Sequence, residues 1–403
     1  MPNRRTRSRR REKILGMSNQ VFFTLLISLL IIIALLVTGI TINKIKEQNK
    51  FAKVQEQKNN EVQQIYDDTN NHLGLTDNYR SNTIIRLSAV GEINFDNQIE
   101  NNVSNYDTIF ENIKKCFKDS DLVIGTYNAK IENEKEENFA KSVKESGVGL
   151  VSLCTENYTN EAKEKLQKCE YQTIGTYDED EQNRITIIEK RKIKIAIIAY
   201  SEEDYKNGIN VFSKEQAKED LEYAKENAIV TIVMMNFKED NNKNVSETQK
   251  EIAKYLVDNG ADAVIGTSKS SMKKMDMIEN RDGQKCLVVY SLGDYVTDST
   301  RKDANIQIIL NMQIYVNTND EVSIYKVDYT PVYLNDFGKS EYDERYKLFD
   351  TKYEIAKYES EHDENSKNQV NNSEETVDDV IDKETYKKIK EASEKIKEII
   401  QGE

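Results

Sequence analysis

The residues best able to do chemistry stand at the ends of short apolar runs. Glu92 follows Ile84–Val90 through Gly91, and Asn128 follows Leu122–Ile124 through Gly125. Glu156 and Asn157 close Gly149–Leu153, Asn236 ends Ile229–Met235, and Ser268 follows Ala263–Ile265 through Gly266. Asp294 follows Leu287–Tyr290 through Ser291-Leu292-Gly293. Carboxylates and carboxamides converging in this way form an all-oxygen donor set, which suits a hard divalent cation such as Ca²⁺ or Mg²⁺. Glu92 is the best candidate for its central ligand. The plainer reading is a rim of solvated polar residues with no metal, no catalytic residue and no cofactor; a divalent cation is the alternative.

The residue inventory removes other chemistries. The chain has two histidines, His72 and His362, both in polar stretches. A His-rich metal site is excluded, and so is a His-based triad unless one of the two folds back. Cys154 at a strand end invites comparison with a thiol nucleophile. Without a His partner its activation is hard to supply, and a buried structural cysteine is the simpler expectation. The four cysteines (Cys116, Cys154, Cys169, Cys286) are too few and scattered for a disulfide framework. One bridge or four free thiols both remain open.

Runs of this length bounded by turn residues suit strands buried in a sheet, and loops at the carboxyl ends of such strands are where α/β proteins place their sites. Helical periodicity falls between the strands. Tyr106–Lys118 carries Ile109, Ile113 and Phe117 on one face, and Phe139–Ser146, Glu161–Cys169 and Lys214–Glu226 follow. Ser246 and Gln249 form a capping box at the start of a helix that closes on Gly260. Two hairpins are expected, Ile185–Ile188 with Ile193–Tyr200 and Ile306–Val316 with Val322–Tyr329. Strand–helix alternation with interspersed hairpins predicts a mixed-sheet α/β domain over residues 84–340. Past Phe337 the pattern fades. Residues 341–403 read as an acidic linker, disordered over Glu359–Asp382, then an amphipathic helix at Glu384–Ile400. That helix suits docking or self-association, or simply a solvated end.

The amino-terminal part is read separately. Val21–Ile42 is uncharged and rich in Leu, Ile and Val, long enough to span a bilayer. Residues 1–20 before it hold Arg4, Arg5, Arg7, Arg9, Arg10, Arg11 and Lys13, which places them in the cytoplasm and the rest outside. A cleaved signal peptide ending near Val37-Thr38-Gly39 is the rival reading, but the apolar run is long for one. A polar stalk is expected over 43–83. The net charge is −14. With six net positive charges in the tail, about −20 falls on the remainder, which argues against nucleic acid as a partner.

With the elements in order, several segments resemble the CapA family of capsule-synthesis proteins. AVGEINFDNQI (Ala89–Ile99) resembles that family's opening segment, and DSDLVIGTYNAKI (Asp119–Ile131) its second. TQKEIAKYLVDNGADAVIGTSKSS (Thr248–Ser271) and YSLGDY (Tyr290–Tyr295) are the most specific matches. The resemblance implies a metallophosphatase-like α/β sandwich, here on a single-pass amino-terminal transmembrane helix, and work in poly-γ-glutamate capsule or cell-envelope polymer assembly. The family's metal positions fall on Glu92, Thr126, Asn128, Thr155, Glu156, Asn157, Asn236, Thr267, Ser268, Ser270 and Asp294, and none is histidine. The resemblance therefore implies a catalytically degenerate member acting as a binding or scaffold component. Its partners would be the lipid bilayer and membrane-embedded envelope or capsule synthesis proteins. The alternative is a phosphoesterase-like, metal-dependent hydrolase or transferase with an all-oxygen site.

Overall fold

The chain divides into a unit at Met1–Gln57 and a second at Lys58–Glu403. The computed structural model describes residues 83–177, 184–205, 208–238, 244–267, 271–298, 300–338, 345–362 and 381–402, all within the second unit. The basic tail, the apolar run 21–42, nearly all of the expected stalk, Ser268 and residues 363–380 lie outside the described residues. Among the described residues, no helix is long and apolar enough to cross a membrane.

In chain order the elements are β1 (Thr83–Ile93), α1 (Asn97–Asn102), α2 (Asp107–Phe110), a 3₁₀ segment (Glu111–Phe117), β2 (Leu122–Tyr127), α3 (Glu134–Ser146), β3 (Leu150–Ser152), α4 (Asn160–Lys168) and β4 (Gln172–Ile174). Next come β5 (Ile185–Lys190), β6 (Ile193–Ser201), α5 (Lys214–Asn227), β7 (Val230–Asn236), α6 (Glu247–Asp258) and β8 (Ala263–Thr267). The chain continues through β9 (Met275–Glu279), β10 (Lys285–Val289), β11 (Asp294–Val296), β12 (Ile306–Val316), β13 (Val322–Asp336), β14 (Tyr346–Asp350), α7 (Thr351–His362) and α8 (Lys383–Gln401).

Among the described residues the strands form two mixed sheets. One has the order β14-β13-β12-β1-β2-β3-β4 with β11 added beside β1, and the other has the order β5-β6-β7-β8-β10-β9. The central strands β1–β2–β3–β4 and β6–β7–β8–β10 run parallel, and antiparallel hairpin strands flank them. Two-residue alternation assigns the faces. In the second sheet Ile195, Ile197, Ile232, Met234, Ile265 and Leu287 join the main core shared with the first sheet. Their neighbours Ala196, Ile198, Val233, Met235, Val264 and Val288 pack instead under α5 and α6, against Leu221, Ala253 and Leu256. Strands covered on both faces need near-continuous apolar sequence, which explains why these runs stood out.

Both hairpins form as expected, and Ser246 and Gln249 cap α6 reciprocally. Elsewhere the structure departs from the expectation. The strand read over Ile84–Val90 continues through Ile93, because β11 supplies it with a parallel partner. The helix expected over Tyr106–Lys118 is one α-turn followed by the 3₁₀ segment. Phe110 and Ile113 are both buried, and their three-residue spacing fits the tighter winding.

Past Phe337, where the pattern fades, β14 pairs with β13 and α7 follows directly. The terminal helix α8 is amphipathic as read, but its apolar face is spent on this chain. Ile389, Ile396 and Ile400 are buried in the main core, and Tyr386 stacks on Tyr358 of α7 at 4.1 Å. That stripe is covered, so it offers no free docking or self-association face.

Candidate functional site

The strand ends converge because backbone closely approaches backbone there. A Cβ on Gly91 would lie 1.8 Å from the Gly293 carbonyl oxygen, and one on Gly266 would lie 2.3 Å from that of Tyr290. Only glycine allows β1 and β8 to run so near the 290–293 turn. Glu92 N–H then donates to Gly293 O at 3.1 Å. Glu92 is thereby set in register between Asp294 of β11 and Thr126 of β2. A register shift between Ala89 and Glu92 marks a local irregularity in β1.

Glu92, Asn94, Asn128 and Asp294 are all buried, and they form one hydrogen-bonded chain. Asn128 Nδ2 donates to Glu92 Oε1 and to Asn94 Oδ1 at 3.3 Å. Asn94 Nδ2 donates to Asp294 Oδ1 at 3.4 Å. Arg301 Nη2 donates to the other carboxylate oxygen, Asp294 Oδ2, at 2.5 Å. Asn157 Nδ2 donates to Asn128 Oδ1 at 3.1 Å and to Asn128 O at 3.2 Å. An ionised carboxylate only accepts hydrogen bonds, so the amides must turn their NH₂ groups toward it. In this orientation the Asn94 and Asn128 amide oxygens accept from Asn128 Nδ2 and Asn157 Nδ2.

The second sheet meets this chain through neutral groups. Thr126 Oγ1 and Thr267 Oγ1 share a hydrogen bond of 2.9 Å, and both residues are completely buried. Asn236, in register with Thr267, donates Nδ2 to the Cys154 carbonyl at 2.7 Å. Cys154 itself donates Sγ–H to Gly175 O at 3.0 Å, and burial pushes its thiol up to about 12. It is an inert structural thiol, and all four cysteines are unbridged.

Of the expected residues, Glu92, Asn128, Asn157 and Asp294 therefore come together, and Asn236 joins from the facing sheet. Glu156 is exposed. Its charge, with Glu203 and Glu92, reinforces the burial that raises the Tyr205 phenol, whose OH donates to Glu203 Oε2 at 3.1 Å. Ser268 lies outside the described residues. Sequence reasoning missed Asn94, Arg301 and Tyr205. Asn94 was legible, two residues past Glu92 on the same strand end. Nothing in the spacing of Arg301 or Tyr205 marks them.

The donor set does not fit a divalent ion. Oxygens of both carboxylates already take N–H groups, one of them from a guanidinium that supplies the positive charge locally. Where two metal-binding side chains would face each other across the sheets, two hydroxyls bond to one another. Among the described residues there is no group of three or more His, Cys, Asp or Glu placed to hold a metal. His362 stacks on Tyr358 within α7, at 3.9 Å.

Comparison with known proteins bears on the same segments. The capsule biosynthesis protein CapA of Bacillus anthracis is 22% identical over 259 residues, covering 55% of this chain. The match spans 61% of that relative's length. Among solved structures, a novel phosphatase from Mycoplasma pneumoniae aligns at 13% identity and a TM-score of 0.43, covering 62% of this chain and 93% of its own. A hypothetical protein from Thermus thermophilus aligns at 15% identity and 0.41, covering 61% and 98%. A putative 5'-nucleotidase from Staphylococcus aureus aligns at 12% and 0.39, covering 77% and 58%. Similarity this distant bears on neither activity nor site residues. The family model of the bacterial capsule synthesis protein PGA_cap matches residues 86–299, which take in the parallel strands of both sheets and the strand-end residues Glu92, Asn94, Asn128, Asn157, Asn236 and Asp294, but not Arg301. The chain belongs to that family.

Proposed function

We propose that this chain is a catalytically degenerate family member, a binding or scaffold component in capsule or cell-envelope polymer assembly. The observation that carries the degenerate reading is the Thr126–Thr267 hydroxyl pair, together with the Arg301 guanidinium on Asp294. A site that has replaced its ion by internal hydrogen bonds and an internal cation has no open coordination position at which to activate water. The polymer-assembly role rests on family membership and on the relative's name. The apolar run 21–42 behind a basic tail supports a single-pass anchor, with the folded domain outside the cytoplasm. Its partners are then the bilayer and membrane-embedded synthesis proteins.

The test is metal content. Full-length protein in detergent is equilibrated with Mn²⁺, Mg²⁺ or Ca²⁺, desalted and assayed for bound ion. Less than stoichiometric metal is expected with each. One ion per chain that disappears in Glu92→Ala would overturn the degenerate reading and direct attention to phosphoester hydrolysis.

A further inference from the structure

A second polar cavity lies away from the strand-end site, across the first sheet beside the 3₁₀ segment. Its volume is about 240 Å³, equivalent to roughly eight waters at liquid density. Two cross-strand rungs build its floor. Arg86 of β1 is in register with Gln313 of β12, and Gln313 with Lys326 of β13. Two residues further along β1, Ser88 pairs with Asn311, and Asn311 with Asp328. The two-residue period of a strand puts both rungs on one face, about 7 Å apart. Ser120 closes one wall, with its Oγ 2.6 Å from Ser88 Oγ, and Ser88 Oγ donates to Asn311 Oδ1 at 2.7 Å. Cys116 and Asp119 complete the lining.

Two charged groups in this cavity keep unspent capacity. The half-buried Arg86 side chain makes no hydrogen bond or ion pair among the described residues; its backbone N–H donates to Asp121 Oδ2 and its carbonyl accepts from Asp121 N–H, both at 2.8 Å. Asp328 Oδ1 accepts from Tyr329 N–H, while Oδ2 takes no hydrogen bond among the described residues. Burial, with Asp350 adding to it and Lys326 opposing, pushes the Asp328 carboxyl up to about 6. Such a carboxylate gains from a further cationic donor.

Two cations (Arg86, Lys326) against two carboxylates (Asp119, Asp328) make the lining neutral overall but strongly polarised. A simple anion would meet as much repulsion as attraction, whereas a molecule carrying both signs can satisfy both ends. We propose that this cavity binds a small zwitterion of the free α-amino-acid class, its carboxylate on Arg86 and its ammonium on Asp328. Ser88, Ser120 and Asn311 line the same cavity and offer neutral hydrogen-bonding groups to the rest of the ligand. The assignment is independent of whether the strand-end site holds metal.

The Cys116 thiol gives the readout, because it lines the cavity while Cys154 and Cys286 are buried. Full-length protein is treated with iodoacetamide in the presence of each common L-α-amino acid except cysteine, whose own thiol would consume the reagent, and alkylation of Cys116 is followed by peptide mass spectrometry. Glycolate and ethanolamine, each lacking one charge, are the controls. At least one amino acid should slow Cys116 alkylation. Its half-protecting concentration should rise about tenfold or more in Arg86→Met and in Asp328→Asn, with Arg86→Lys intermediate. Melting curves of the three variants establish that they are folded, and any that is not is replaced by Asn311→Ala, expected to weaken protection in the same sense. Protection by no amino acid would overturn the proposal. So would equal protection by glycolate, which would make the cavity a plain anion site, or unchanged protection in the folded variants.

Discussion

If Arg301 is the internal cation of the strand-end site, removing it should be costly in a way that removing its partner as well repairs. Arg301→Met leaves Asp294, whose side chain is 1% exposed, without the guanidinium now 2.5 Å away. Breaking a fully buried pair from one side costs about 3–5 kcal/mol. Here the arginine is 32% exposed, and Asn94 still donates to the other carboxylate oxygen. Solvent screening therefore lowers the expected cost to about 2 kcal/mol. At about 2–4 °C per kcal/mol for a domain of this size, the melting temperature should fall by about 4–8 °C.

Asp294→Asn removes the buried charge and lets the guanidinium swing to water, costing about 1 kcal/mol. The double variant should be no less stable than Asp294→Asn alone, an interaction energy of about 2 kcal/mol. The chain has 22 tyrosines and no tryptophan, so near-ultraviolet circular dichroism of tyrosine is the appropriate probe of tertiary melting. A neutral Arg301→Met, or a double variant whose loss equals the sum of the singles, would refute the internal-cation account. Asp294 would then be an open carboxylate beside Glu92, and the case against a metal would weaken with it.

Two further outcomes follow from groups outside that site. Burial raises the Asp262 carboxyl to about 6, against lowering hydrogen bonds from Thr231 N–H and Gln284. A carboxyl that holds its proton more tightly when folded favours folding most at low pH. Its contribution declines as pH rises from about 4 to about 6 and is absent above that. Thermal melts across this window should show a slope that Asp262→Asn reduces, while Asp328, also raised to about 6, maintains the remainder. An unchanged slope would mean that Asp262 titrates normally. In α8, Ile396→Ala should cost about 2–5 kcal/mol, because the side chain is wholly buried in the main core. A loss below about 0.5 kcal/mol would return this helix to the status of an appended, solvated segment.

The parts of the fold that were legible in the sequence are those where a strand is buried on both faces or a turn fixes a register. The runs Ile193–Ser201, Val230–Asn236 and Ala263–Thr267 announce themselves because both neighbouring layers demand apolar side chains. Two of the three-residue strands were not legible. β4 and β11 are three residues each, too brief for any periodicity, and they exist because a neighbouring strand offers them partners. β14 and α7 lie in a polar stretch whose burial is supplied by tertiary contacts with the 3₁₀ segment and β13. The strand-end carboxylates and amides could be read from position alone. That Arg301 reaches Asp294, and that Tyr205 feels the charge of Glu92, could not, because both arrive on loops whose course is set by the whole fold.

The residues that identify the family and the residues that would make an enzyme answer to different physics. Gly91 and Gly266 are required wherever β1 and β8 pass within contact of the 290–293 backbone, whatever side chains decorate the strand ends. They signal architecture and carry no chemistry. The strand-end side chains have a separate obligation: once buried, each polar group needs a partner. A bound ion would satisfy several at once and bridge the sheets. Here the bridging falls to Thr126 with Thr267 and to Asn236 with the Cys154 carbonyl, while Arg301 balances Asp294. Each of these is a neutral or internally compensated contact between the strand ends. On the degenerate reading proposed above, the architecture of the matched span can persist after the means of activating water has gone.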